Sequence, residues 1–255
     1  MSKIPTRRPA RLNRPSIAAL LALLALGGSA SARADLIRVR YESELPGAMS
    51  TTATFAQVGV EGFESVRNGV GIDYRSDFGS DGVFSGHYTD LQVNNADPYG
   101  GANGRGKYAV TFARTGYALD LSTTLPGGVN YFGFWLSALD ADNHVSFYRA
   151  GELLLDFTPD DLLAIVKGKP AYYGNPNANF KGRNDGEPYA FVNFFNETGS
   201  FDRVVFRQAG GGGYESDNHT VGRWLTQGSG TALPLDPAMQ AVPEPGSLLL
   251  VGLGL

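Results

Sequence analysis

The sequence predicts an all-β protein, a two-sheet β-sandwich or jelly roll with one short helix, on three observations. Apolar and aromatic residues recur with a period of two along most of the chain. The 34 Gly and 14 Pro among 255 residues supply turns at short intervals. Only one segment carries the start signals of a helix. A closed barrel is the alternative arrangement of the same strands. With 15 Phe and 12 Tyr against 3 Met, the core is expected to be aromatic. The absence of cysteine excludes a disulfide scaffold, a thiolate metal centre and a thiol nucleophile.

Taken in order, residues 1–34 read as a secretory signal peptide. They contain Lys3, Arg7, Arg8, Arg11, Arg14 and Arg33 and no acidic residue, with the ten apolar residues Ile17–Leu26 after the basic stretch. Ten helical residues rise only ~15 Å against a hydrocarbon core of ~30 Å, so this run is too short to span. Ala32-Arg33-Ala34 forms an A-x-A cleavage site before Asp35, and Ala30-Ser31-Ala32 offers a second.

Residues 35–225 form the β domain. Ile37–Tyr41 alternates cleanly, and Lys107–Phe112, Asn130–Leu136, His144–Tyr148, Tyr189–Phe195 and Phe201–Phe206 are rich in aromatic and β-branched residues bounded by turn formers. Residues 129–157 read as a three-strand meander, turning at Asp140–Asn143 and at Arg149–Gly151. The helix lies at Thr158–Val166, with Thr158 as N-cap, Pro159 at the first position and Asp160 and Asp161 at the positive end of the dipole. Residues 226–241, rich in Gly, Ser, Pro and Ala, read as a linker.

Charge narrows the class of partner. Six of the 21 Lys and Arg lie in residues 1–34, leaving 15 against 25 acidic residues and a mature chain near −10. Nucleic acid and anionic lipid require basic footprints and are excluded as partners. Neutral glycans, cations and basic proteins remain.

Val242-Pro243-Glu244-Pro245, followed by Gly-Ser and eight apolar residues, resembles the PEP-CTERM sorting signal of exosortase-dependent bacterial surface proteins. In that family the motif precedes a transmembrane helix and a basic cluster, so residues 242–255 are expected to be a partial, truncated or degenerate sorting signal. The resemblance implies the export machinery and an exosortase as partners, membrane contact only through this tail before processing, and a final location at the cell surface or in the extracellular matrix of a Gram-negative bacterium. Tyr131–Trp135, Asp140-x-x-Asn143, Phe147–Leu154, Tyr189–Phe195 and Gly213–Val221 also resemble an Npun-type family of exosortase-dependent surface proteins, over about residues 60–222. That family implies a surface protein and no established reaction.

No motif specifies a reaction. Gly101–Lys107 has the spacing of a phosphate-binding loop, but Tyr108 stands where a magnesium-binding Ser or Thr is needed, so it reads as a turn entering a strand. H-E-x-x-H and G-x-S-x-G are absent. Glu215, Asp217 and Asn218 follow four consecutive glycines. Phe63-Glu64 and Asp217 resemble the residues that share a structural calcium in jelly-roll glycan-binding modules; the other reading is that they hydrogen-bond turns and strand ends. Tyr172, Tyr173, Asn175 and Asn177 lie in a polar, aromatic loop suited to stacking on a sugar, or packing on its own domain. The function expected is a non-catalytic exported surface or matrix protein that binds extracellular polysaccharide. The alternative is a secreted glycoside hydrolase or lyase, which requires two carboxylates facing each other in an aromatic-lined cleft.

Overall fold

The computed structural model describes residues 36–42 and 47–235. The cleavage residues Ala32 and Ala34 and the sorting motif Val242–Pro245 lie outside the described residues. Within them are thirteen strands: β1 Ile37–Tyr41, β2 Thr54–Glu61, β3 Gly69–Ser76, β4 Phe84–Asn95, β5 Lys107–Phe112, β6 Gly116–Thr123, β7 Tyr131–Ser137, β8 Asn143–Arg149, β9 Glu152–Phe157, β10 Ala190–Asn196, β11 Arg203–Gln208, β12 Gly213–Thr226 and β13 Thr231–Ala232. One α-helix, α1 (Asp160–Val166), follows β9.

Every strand pairing is antiparallel, and the ladder runs unbroken in the order β13-β1-β10-β7-β12-β5-β4-β6-β11-β8-β9, with β2 added to β12 and β3 to β4. In a flat sheet the seven strand spacings from β10 to β8 would separate them by roughly 34 Å. Instead Phe194 on β10 and Phe147 on β8 have ring centroids 4.6 Å apart, and Phe134 on β7 meets Phe206 on β11 at 5.1 Å. The sheet is therefore curled over onto itself, and its two halves pack face to face as the expected all-β sandwich of jelly-roll type.

Two bulges allow the curl. Asp90 in β4 and Asn218 in β12 take positive φ, 58° and 49°, and the register slips beside each. A bulge bends its strand and reverses which residues face inward. In β12, Tyr214 and Ser216 face the core before the bulge, and His219 and Val221 after it. β4 accordingly pairs with β6 through Phe84–Thr89 and with β5 through Gln92–Asn95.

The core between the halves is built on Phe132, Phe134, Phe147, Phe194 and Phe206, each fully buried. Burial of each such ring contributes ~1.5–3 kcal/mol. Their edge-to-face contacts add to this. A polar chain crosses the same core: Tyr88 hydroxyl to His219 Nδ1 (3.1 Å), His219 Nε2 to Ser216 Oγ (3.0 Å) and Ser216 Oγ to the Tyr117 hydroxyl (2.7 Å).

β7 and β10 are buried on both faces. Their outer face is covered by residues 96–106 and 173–188, and Trp135 stacks on Tyr189 at 5.6 Å beneath them. The covering segments are clamped by amides. Asn175 Nδ2 donates to the Pro98 carbonyl, Asn177 Nδ2 to Gly101 and Asn179 Nδ2 to Gly104, all at 2.9–3.0 Å. Gly133 permits this packing, because a Cβ there would overlap the Tyr131 hydroxyl and stand 2.8 Å from Phe191 Cε1.

Two sequence boundaries shift. The segment expected to be linker from residue 226 instead continues the domain: Thr231 and Ala232 pair with Tyr41 and Arg40, Leu233 N–H donates to Val39 (2.9 Å), and Leu233 is buried. The edge of β1 offers unpaired backbone groups that this segment satisfies. Thr158 does not cap the helix; Pro159 occupies the cap position, and Thr158 Oγ1 donates to Asp160 Oδ2 at 3.1 Å.

Candidate functional site

β12 leaves its glycine turn with Glu215 and Asp217 on the outer face, opposite Ser137 and Trp135 of β7. Glu215 is 6% exposed and lines a pocket of about 450 Å³. The remaining walls come from four places: Tyr99 in the 96–106 segment, Phe112 at the end of β5, Ala138 and Asp140 after β7, and Glu187 in the 173–188 segment. Tyr99 and Phe112 are 51% and 43% exposed, large rings presented to solvent at the rim.

Each wall has a local cause. Asp97 Oδ1 accepts the amides of Tyr99 (2.8 Å) and Gly100 (3.0 Å), and its Oδ2 accepts the Tyr108 hydroxyl (2.9 Å), which sets the turn that presents Tyr99. Asn184 Nδ2 donates to Glu187 Oε2 at 2.6 Å. Gly213 makes room for the acid, since a Cβ at that position would overlap the Glu215 carboxylate.

The electrostatics are one-sided. Burial pushes the Glu215 carboxyl up to about 8, and the charges of Asp97, Glu187 and Asp140 push the same way; the bond to its own amide opposes them. Asp140 is raised by burial and then by Glu187 and Asp142. No other residue among the described ones hydrogen-bonds the Glu215 carboxylate. Beside it Ser137 Oγ and Trp135 Nε1, both buried, have no hydrogen-bond partner among the described residues. The pocket thus sets apolar rings beside a buried carboxylate whose bonding capacity is nearly unused. That combination suits a flat ligand with polar substituents.

None of the ligand- or metal-binding residues chosen from the sequence lines this pocket. Tyr172, Asn175 and Asn177 are corrected from ligand-binding to structural. Tyr172 is buried against Tyr41 at a centroid distance of 6.1 Å, and the two asparagines spend their side-chain amides on the loop clamp. Tyr173 lines a separate shallow groove with Gly168, Lys169 and Pro170.

The calcium pairing of Glu64 and Asp217 finds no support among the described residues. The described residues contain no group of three or more His, Asp or Glu side chains able to hold a metal ion. Asp217 accepts the amides of Ala102 and Asn218, one on each oxygen at 2.6 Å, and the Lys107 ammonium takes the carbonyls of Glu64 and Val66. Burial raises Asp217 to about 8, those two amides lower it, and Glu64 and Glu61 raise it further.

The buried Ser216–His219 pair is not a nucleophile. His219 is fully buried, and a tyrosine rather than a carboxylate faces its Nδ1.

Glu215 and Asp140 were each visible in the sequence as turn-associated residues. Phe112 and Glu187 carry no local signal; only the strand order brings them together. No family model, curated protein or solved structure matches the chain. The chemistry of the site rests on its own side chains.

Proposed function

We propose that this chain is an exported, non-catalytic surface or matrix protein that binds extracellular polysaccharide in the pocket formed by Tyr99, Phe112 and Glu215. The observation that carries this reading is the pair of exposed rings set beside a buried carboxylate with unused acceptor positions. Sugar rings present C–H faces that stack on aromatics, and hydroxyls that a carboxylate accepts. The basic and apolar leader, the cleavage site at Ala34 and the resemblance of Val242–Pro245 to a sorting signal support export and surface retention.

The test is binding to a panel of bacterial exopolysaccharides, with Tyr99→Ala and Phe112→Ala beside the wild type. Loss of at least tenfold in affinity in either variant supports the reading. Unchanged affinity in both, or no binding by the wild type, refutes it.

A second reading, a glycoside hydrolase, is favoured by one observation. Glu215 is held protonated near neutrality in the same pocket as Asp140 and Glu187, the pairing of acid and carboxylate that glycoside hydrolysis requires. Release of reducing ends by the wild type, abolished in Glu215→Gln, would establish it over simple binding.

A further inference from the structure

The walls of the pocket are not those of a site for a neutral sugar alone. Three carboxylates, Asp140, Glu187 and Glu215, line it, and Asp97 stands close enough to raise Glu215 further. No Lys, Arg or His side chain is among the lining residues. Two of the acids are already supported: Asp97 accepts two amides and a hydroxyl, and Glu187 accepts an amide from Asn184. Glu215 is different. It is more than nine-tenths buried, faces the pocket, and accepts from no other described residue.

The one hydrogen bond to Glu215 comes from its own amide, and burial keeps the unliganded carboxyl protonated; a cation brought to it offsets the charge and lets the proton leave. Elsewhere in the molecule carboxylates have such partners, as Asp120 has Arg203 and Glu197 has Arg38. A bare metal ion fits less well, since the three carboxylates are not gathered into a group that could hold one. Two exposed rings at the mouth favour a flat organic body and attract positive charge through their faces.

We propose that the pocket recognises a saccharide unit bearing a protonated amine, a 2-amino-2-deoxyhexose, with its ammonium on Glu215 and its ring against Tyr99 and Phe112. This rests on the saccharide reading above and adds the charge of the ligand to it. A lysine-bearing protein is the competing source of an ammonium. The two rings at the rim favour the sugar, because a lysine side chain has no flat face to stack.

The experiment titrates the full chain with short glucosamine oligosaccharides, their fully N-acetylated counterparts, neutral glucan oligosaccharides and a lysine oligopeptide. Work at about 0.15 M salt screens general attraction to an acidic protein beyond ~8 Å. The charge-assisted hydrogen bond, which the acetamide cannot make, should let the amine bind at least tenfold more tightly than the acetamide. Glu215→Gln should abolish that preference, leaving the amine and the N-acetylated sugar with equal affinity. Glu152→Gln, an exposed acid on β9 outside the pocket lining, should leave the preference unchanged.

Equal affinity for amine and acetamide, or a preference that survives in Glu215→Gln, overturns the proposal. If those sugars still bind in a Tyr99-dependent way, the saccharide reading stands and only the amine assignment falls. Binding of the lysine peptide as tightly as the amino sugar overturns the sugar assignment. Absence of binding by every ligand overturns both.

Discussion

Replacing His219 by glutamine should flatten one component of the acid sensitivity of the fold. The imidazole sits among Phe63, Phe132 and Phe206 with no exposed surface, and burial lowers its pKa from 6.5 to about 3. A base whose folded pKa is depressed contributes stability that is fully present above about 6.5. That stability is lost as pH falls towards the folded value. At ~1.36 kcal/mol per unit, the loss is about 2.7 kcal/mol by pH 4.5 and approaches ~5 kcal/mol near pH 3. Glutamine also costs stability, through altered bonds to Tyr88 and Ser216, but that cost does not vary with pH in this range. The informative quantity is therefore the difference between wild type and variant, measured by urea unfolding at successive pH values. Between pH 7 and pH 4.5 the wild type should lose about 2–3 kcal/mol more than the His219→Gln variant. Parallel stability curves over that interval would show that the imidazole is hydrated or already charged, and the reasoning from burial would fail.

Glu215 titrates with the opposite sign: its folded carboxyl, near 8 against 4.5 for the free group, keeps its proton longer than in the unfolded chain. Stability is therefore lost as pH rises from 4.5 through 8, by roughly 5 kcal/mol at most, and from pH 6 to pH 9 the melting temperature of Glu215→Gln should fall less than that of the wild type, the remaining decline coming from Asp217. Gly133→Ala forces a Cβ against Tyr131 and Phe191 and should cost about 1–3 kcal/mol in chemical unfolding; a neutral effect would show that β7 and the 173–188 cover repack freely. Asn177→Ala removes the donor to Gly101 and should cost about 1–2 kcal/mol and speed proteolytic cutting within residues 96–106; an unchanged digestion pattern would show that the other amides hold the loop alone.

Much of the fold was legible because several strands keep one phase. β1, β5, β7, β8, β10 and β11 all coincide with aromatic or β-branched runs, and the Arg149–Glu152 hairpin has Ala150 and Gly151 at positive φ, as a tight two-residue turn requires. β4 and β12 were not legible as strands because their bulges reverse the alternation midway. Phe84 and Tyr88 share a phase that Leu91 and Val93 break. β2 and β3 were obscured for another reason: they expose much of their length and are interrupted by Gly59 and Gly71. The site was half legible. A glycine run before Glu215 marks a turn, but nothing near Phe112 or Glu187 in the sequence says that they will meet it. Conversely, the Tyr172–Asn177 loop has the composition of a sugar-binding surface and uses it for internal cohesion. Polar amides serve a buried backbone carbonyl as readily as a ligand hydroxyl.

The place of β1 in the ladder sets the order in which the molecule can be completed. Ile37 lies opposite Asn196, and Tyr41 opposite Thr231, so the first strand finds neither neighbour until the last quarter of the chain is present. Contacts this far apart in sequence make folding slow, because a long loop must close before any pairing compensates for it. Under the export proposed above, a chain threaded N-terminus first closes its sandwich only once β10 and β13 have joined β1.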